Sequence, residues 1–369
     1  MLQQLRIENF RVFRKLTVSG LKRVNLLVGK NNSGKTTVLE AVEALFVDQH
    51  PGRVLNLIVG RHDPSEIIGK SRKSPAAPMF HGQRLVPTSE LTIEAVGSEV
   101  SHQLHVGVVD IRPDQIDRAW DLTLNEPVSD KGLLFKWEHG PQTSEKLAAL
   151  SADSCLPLEP FYVGARIWGF HDFAPLGFVR TEGVPLQGMN MIWAECVAAR
   201  PDRKRIVIDF MQDLDERIRD IEFVPLSSSD SKLLGRDFEC LVGIEDSDGQ
   251  IATFPLRQMG EGTARFLGLG LALLSAESGI LLIDEIDTGL HHTVLEDMWR
   301  FVFRAAEEFN VQLFATTHSQ DCWKALARVV ADDDRQDVSL QRIERDAEEA
   351  VTYSPGAIAA SADYEAEVR

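Results

Sequence analysis

An α/β fold with an antiparallel β subdomain and a partly helical insertion is predicted for this 369-residue chain by three observations. Near one end, the buried-looking strand Val24–Val28 runs into a glycine-rich turn, and residues 37–46 then repeat apolar positions with a helical period. Near the other end, two apolar runs at 279–285 and 311–315 bracket a second helical pattern, which implies parallel pairing by a crossover. Between these regions lie short runs typical of antiparallel strands.

In chain order, Leu5, Ile7 and Phe10 read as a half-buried or edge strand, and 12–18 can continue a hairpin. Pro51, Pro64, Pro75 and Pro78 break any long element between 48 and 89, marking a first insertion or loop. Runs at 91–95, 103–109 and 133–137 predict short antiparallel strands, with room for one more. From 189 to 221, Ile192, Val197, Ile206, Ile208, Met211, Leu214, Ile218 and Ile221 fit one long helix or a broken pair, a helical lid or arm. Beyond 234, two strands flank Asp246-Ser247-Asp248-Gly249, a hairpin turn. Gly260-Glu261-Gly262-Thr263 then opens an apolar helix over 264–276, and 338–369 supplies strands and one helix to complete the sheet. This divides the chain into 1–47, 48–234 and 235–369.

Composition sets bounds on function. A formal net charge of −17 argues against nonspecific coating of nucleic acid, which needs a basic surface. Two short basic stretches, Lys70, Arg72 and Lys73, and Arg200, Arg203, Lys204 and Arg205, read as solvated loops or as a local basic groove. No apolar run reaches membrane length and the first residues lack a signal-peptide core, so the expected location is the cytoplasm. Cys155, Cys196, Cys240 and Cys322 have no metal-ligand spacing and read as reduced, mostly buried thiols.

The chemistry begins at Gly29-Lys30-Asn31-Asn32-Ser33-Gly34-Lys35-Thr36, which fits G-x-x-x-x-G-K-[ST] between a strand and a helix. Backbone N–H groups there point at phosphate oxygens and the helix dipole favours negative charge. The nucleotide-contacting candidates are Gly29, Asn31, Asn32, Ser33, Gly34, Lys35, Thr36 and Thr37. Lys35 can reach the β- and γ-phosphates, and the Thr36 hydroxyl can take a Mg²⁺ position. The bland alternative is a chance glycine turn before a helix. At the end of the apolar strand, Asp284 is the candidate metal carboxylate and Glu285 the residue that polarises the attacking water. The alternative there is a pair of acidic caps on the following helix. His318 stands where a side chain could sense the γ-phosphate, although a lone histidine at a strand end is ordinarily structural.

Taken in order, these motifs resemble those of ABC-type ATPases of the RecF, SMC and OLD lineage, most closely compact AAA-family ATP-binding proteins. The shared residues are Leu5-Arg6-Ile7-Glu8-Asn9-Phe10-Arg11, the loop from Gly29 to Thr36, Leu39-Glu40-Ala41 and Met259-Gly260-Glu261-Gly262-Thr263. Ile283-Asp284-Glu285, Thr288-Gly289-Leu290-His291 and Ala315-Thr316-Thr317-His318-Ser319 complete the match, which covers 1–46 and 235–369 well. The resemblance implies a P-loop NTPase of ABC-ATPase type using ATP and Mg²⁺. It implies that Gly260, Glu261 and Gly262 form a signature loop closing on ATP held by a second copy. It further implies that residues 288–291 link the two sites and that His318 is the switch histidine, acting with Lys35 and Glu285.

The chain also departs from the pattern. Gln258 stands where a signature serine is usual, and His291 where an aspartate is usual, a change also typical of the OLD-like branch. The interval between the halves is too short for long coiled-coil arms, and no acidic cluster resembles a Toprim nuclease. The expected function is an ATP-dependent homodimeric switch controlling DNA engagement or a partner effector. The competing expectation is a nucleotide-gated interaction module that holds a separate effector, such as a nuclease, with slow hydrolysis as a timer. A small-molecule kinase would need neither the long interval nor the Gly-Glu-Gly-Thr loop. The absence of N-K-x-D favours ATP over GTP.

Overall fold

The computed structural model describes residues 1–47, 51, 54, 73–111, 128–151, 154–157, 168–169, 175–228 and 237–361. The basic stretch at 70–72 and most of the proline-broken segment lie outside these residues. Strands β1 (Leu2–Phe10), β2 (Phe13–Ser19) and β3 (Val24–Val28) precede helix α1 (Lys35–Phe46). Strands β4 (Glu90–Gly97), β5 (Ser101–Asp110), β6 (Val128–His139), β7 (Gln142–Ser151) and β8 (Leu176–Val179) come next. Helices α2 (Leu186–Ile192) and α3 (Pro201–Gln212) lead to β9 (Ile218–Pro225), β10 (Phe238–Glu245) and β11 (Ile251–Pro255). The chain continues through α4 (Glu261–Ser275), β12 (Ile280–Ile283), α5 (Leu295–Glu308), β13 (Gln312–Thr316) and α6 (Gln320–Asp332). It then forms β14 (Val338–Arg342), β15 (Val351–Tyr353) and α7 (Pro355–Ala360). The described residues within 1–176 and 337–354 form one compact unit, and those within 177–336 and 355–366 form another. These units follow packing, whereas the sequence division at 47 and 234 follows motifs.

The first unit is built on an antiparallel sheet of order β2-β1-β4-β5-β6-β7. In β1 the buried residues Leu2, Leu5, Ile7 and Phe10 break strict alternation twice. A register shift between Leu2 and Gln4 explains the break between Leu2 and Leu5, because an extra residue turns the next side chain back to the inner face; a second break separates Ile7 from Phe10, where Asn9 has φ 52°. Residues expected as three strands form β4, β5 and β6, and β7 adds a further strand at the sheet edge. Helix α1 is buried almost all round, including Val38, Leu39, Ala41, Val42, Ala44 and Leu45, where the sequence pattern suggests a single buried side. It packs on β4 and β5, and the Trp137 indole N–H donates to the Ala44 carbonyl at 3.2 Å. Strand β3 pairs in parallel with β14, which pairs antiparallel with β15.

A part-buried histidine pair lies in this unit. His102 and His139 face each other across β5 and β6 with Nδ1 atoms 2.8 Å apart, and the Phe46 ring lies 4.8 Å from the His102 ring. Burial, and then the neighbouring His102, push the His139 pKa down to about 4, and burial also lowers that of His102. The unfolded chain therefore binds protons that the folded chain refuses, and stability falls as pH drops from the ordinary histidine value toward 4. We expect a loss of about 2 kcal/mol over that window. Melting temperature against pH should fall less steeply for His139→Gln than for wild type; equal slopes would contradict the assignment.

In the second unit β12 and β13 pair in parallel, as the strand-helix-strand pattern predicts, and β8 flanks β12. Every residue of β8, β12 and β13 is buried. Helix α4 is buried without interruption from Phe266 to Leu274, whereas α5 buries one face through Leu295, Met298, Trp299, Val302 and Phe303. Strands β9, β10 and β11 form a small antiparallel sheet, and the expected 238–254 hairpin is present as β10 and β11. The helical reading of 189–221 is corrected at its end. Helix α2 runs into a π-helical stretch, Trp193–Val197, and a break before α3, while Ile218 and Ile221 lie on β9. A register shift between Ile218 and Asp220 lets both isoleucines face inward three residues apart, which imitates helical spacing. Among the described residues no helix is long and apolar enough to cross a membrane.

Candidate functional site

The phosphate-loop half lies in the first unit. Buried β3 ends at Gly29, whose φ is 148° and where an added Cβ would lie 2.5 Å from the Ile343 carbonyl oxygen and 2.8 Å from Ser33 Oγ. The loop closes at Gly34, φ 104°, where a Cβ would meet the Phe13 ring at 2.3 Å. Both positions therefore require glycine. Helix α1 starts at the next residue. Lys35 is buried, and its Nζ donates to the carbonyls of Gly29 at 2.9 Å and Lys30 at 3.1 Å. The ammonium is thus held over the loop that it would share with a phosphate. The Ser33 hydroxyl is buried and has no hydrogen-bond partner. A cleft of about 630 Å³ is lined by Lys30, Asn31, Asn32 and Ser33 on one side and by 343–347 on the other. Thr37 is buried and Thr36 half-buried on the first turn of α1.

These features fit a polyphosphate. The glycine cradle is filled by any side chain, a cation is poised on it, and a buried hydroxyl lacks a partner. The Thr36 hydroxyl beside them is a hard oxygen donor of the kind Mg²⁺ takes.

The acidic half lies in the second unit. Strand β12 ends at Asp284, whose backbone N–H donates to the Val179 carbonyl and whose Oδ1 accepts the Thr316 hydroxyl proton at 2.6 Å. The same Thr316 oxygen accepts the Glu285 N–H at 2.8 Å, so one side chain orients both acidic residues. Glu285 has φ 53°, the left-handed region that non-glycine residues avoid. Its Oε1 lies 3.3 Å from His318 Nδ1, and its Oε2 accepts from Thr288 Oγ1 at 3.3 Å. Glu285 and His318, read separately from the sequence, therefore meet. The capping alternative for Asp284 and Glu285 does not hold, because α5 begins only at Leu295 and the short helix before it, His292–Val294, is capped by His291.

The signature segment is in the same unit. Gly260 has φ 94° and α4 starts at Glu261. A Cβ on Gly289 would lie 3.4 Å from Glu261 Oε1, so residues 288–291 pack against the start of α4. Gln258 is exposed in the turn Leu256–Gln258, and His291 Nδ1 engages Thr293 Oγ1 at 2.9 Å. Sequence reasoning missed Thr316, and also Thr317, which donates to Asp287 at 2.6 Å. The signal for both is the Thr-Thr pair before the histidine, hydroxyls at a strand end facing a neighbouring acidic strand end. Cys240 and Cys322 are buried and free, as expected, with burial pushing the Cys240 thiol up to about 12.

Comparison with known proteins supports an ATPase. Residues 1–88 match the family described as "AAA ATPase domain", and residues 198–321 match "AAA domain, putative AbiEii toxin, Type IV TA system". An "ATP/GTP phosphatase" of Helicobacter pylori is 23% identical over 367 residues, covering 90% of each chain. Among solved structures, an SMC head bound to the C-terminal winged-helix domain of ScpA has a TM-score of 0.48 and 12% identity, covering 96% of this chain and 97% of that one. The recombination mediator RecF bound to an ATP analogue has a TM-score of 0.42 and 12% identity, covering 96% and 98%. The two family matches contain the phosphate loop and the acidic strand respectively. Both matched families are ATPase domains, and together with the geometry of the phosphate loop they support an ATPase.

Proposed function

We propose that this ATPase-domain chain is an ATP-dependent homodimeric switch, with 1–47 and 235–369 as the nucleotide-handling segments and 48–234 as the part that transmits the change. The observation that carries this reading is the contact between Glu285 and His318 at 3.3 Å, at the ends of parallel strands in a chain that also holds a complete phosphate loop. Gly29, Asn31, Asn32, Ser33, Gly34, Lys35, Thr36 and Thr37 bind the phosphates. Thr36 and Asp284 would hold Mg²⁺, which when bound offsets phosphate charge. Glu285 positions and polarises the attacking water, and His318, half-exposed beside it, contacts the γ-phosphate in this reading. Gly260, Glu261 and Gly262 complete the site on a second copy, where the start of α4 presents N–H groups to the nucleotide.

ATP then favours the paired state and hydrolysis the separated one, and the difference in affinity drives the output. The net charge of −17 favours a protein effector over nonspecific DNA as the target. It thereby supports the second reading, a nucleotide-gated module that holds an effector such as a nuclease. DNA engagement through a local surface is the first reading's output, and stimulation of hydrolysis by duplex DNA would support it. The composite site has a direct consequence: hydrolysis per subunit should rise with protein concentration and then level off. A rate per subunit independent of concentration, for a protein that runs as a single chain, would remove the trans arrangement.

A further inference from the structure

Glu285 is held in an unfavourable backbone conformation, and both of its peptide flanks are pinned. On the N-terminal side its N–H donates to Thr316 Oγ1 at 2.8 Å. On the other side its carbonyl accepts from Arg265 Nη2 at 3.2 Å, while Arg265 Nη1 donates to the Thr181 carbonyl at 2.6 Å. A non-glycine residue at φ 53° persists only where its surroundings fix it, and these hydrogen bonds are what the structure supplies. Arg265 sits one turn into α4, directly after the Gly260–Gly262 segment, so its guanidinium ties the start of that helix to the acidic strand end. An independent feature makes room for it. Gly183 has φ 83°, and a Cβ there would lie 2.5 Å from Arg265 Nη1. Burial lowers the pKa of its guanidinium below the ordinary value, and the carboxylates of Glu261, Glu182, Asp287 and Glu285 oppose that shift.

We propose that Arg265 is a positioning residue, which fixes the Glu285 backbone so that the carboxylate faces the reacting phosphate, and so joins the signature segment to the water-polarising residue within one chain. This rests on the reading of Glu285 given above. A planar fork that spans two carbonyls is a task for arginine; lysine retains the charge but not the paired geometry.

The test uses the full-length protein with Mg²⁺, measuring turnover of ATP and, separately, binding of a fluorescent ATP analogue by anisotropy. Arg265→Gln should lower kcat by about tenfold to a hundredfold, the effect of a misplaced catalytic group, while the analogue's Kd changes by less than about threefold. Arg265→Lys should recover part of the loss. Gly183→Ala, which crowds the guanidinium without removing it, should lower kcat in the same direction with binding retained, and it tests the idea should the Arg265 variants fail to fold. An unchanged kcat in both Arg265→Gln and Gly183→Ala, or kcat and binding falling together, would overturn the proposal. Glu285→Gln is run alongside. If it abolishes turnover and Arg265→Gln leaves kcat unchanged, positioning by Arg265 is wrong and the site reading stands. If Glu285→Gln turns over normally, the site reading itself fails.

Discussion

Lys35→Ala should weaken ATP binding by about two orders of magnitude or more, the cost of losing a buried charge partner of the phosphates. The reason lies in where the ammonium is kept. Lys35 is buried on the first turn of α1, with Nζ held by the Gly29 and Lys30 carbonyls at 2.9 and 3.1 Å, the edge of the glycine cradle itself. Little ordering entropy remains to be lost when phosphate arrives, so nearly all of the charge-assisted hydrogen bonding contributes to affinity. Alanine removes the cation and leaves two loop carbonyls facing the anion. Isothermal titration with ATP and Mg²⁺ checks this, with thermal melting as the control for folding. Retention of wild-type affinity would show that the loop is a structural turn.

Glu285→Gln should retain nucleotide binding and reduce turnover by about a hundredfold to ten-thousandfold, the usual contribution of a general base. The substitution keeps the side chain's shape and its capacity to accept from Thr288 Oγ1 at 3.3 Å. It also keeps the pinned backbone, whose φ of 53° the amide tolerates as the carboxylate does. Only the negative charge beside the His318 ring is lost. Binding intact with turnover gone separates chemistry from affinity. Normal hydrolysis by this variant would exclude Glu285 as the water-polarising group.

The parts of the fold legible in the sequence are those where one physical requirement fixes several residues at once. A phosphate loop needs glycines at Gly29 and Gly34 because backbone and ring atoms occupy the space of a side chain there. A buried parallel strand such as β12 needs an unbroken apolar run, and its end places Asp284 and Glu285. The elements left open or missed lack such a requirement. Strand β7 pairs at the sheet edge, where Glu145 opposes Lys136 across the ladder, and its polar composition carries no strand signal. In β9 a register shift sets Ile218 and Ile221 on one face, so a strand displays the spacing of a helix. Thr316 and Arg265 each act through two hydrogen bonds to groups distant in sequence, and no local pattern announces them.

The most direct test of the switch is the solution mass of the Glu285→Gln protein by light scattering, with and without ATP and Mg²⁺. A protein that is a single chain alone and doubles in mass only with both present is the predicted result. A mass that stays at one chain under ATP and Mg²⁺, with nucleotide shown to be bound, would contradict it.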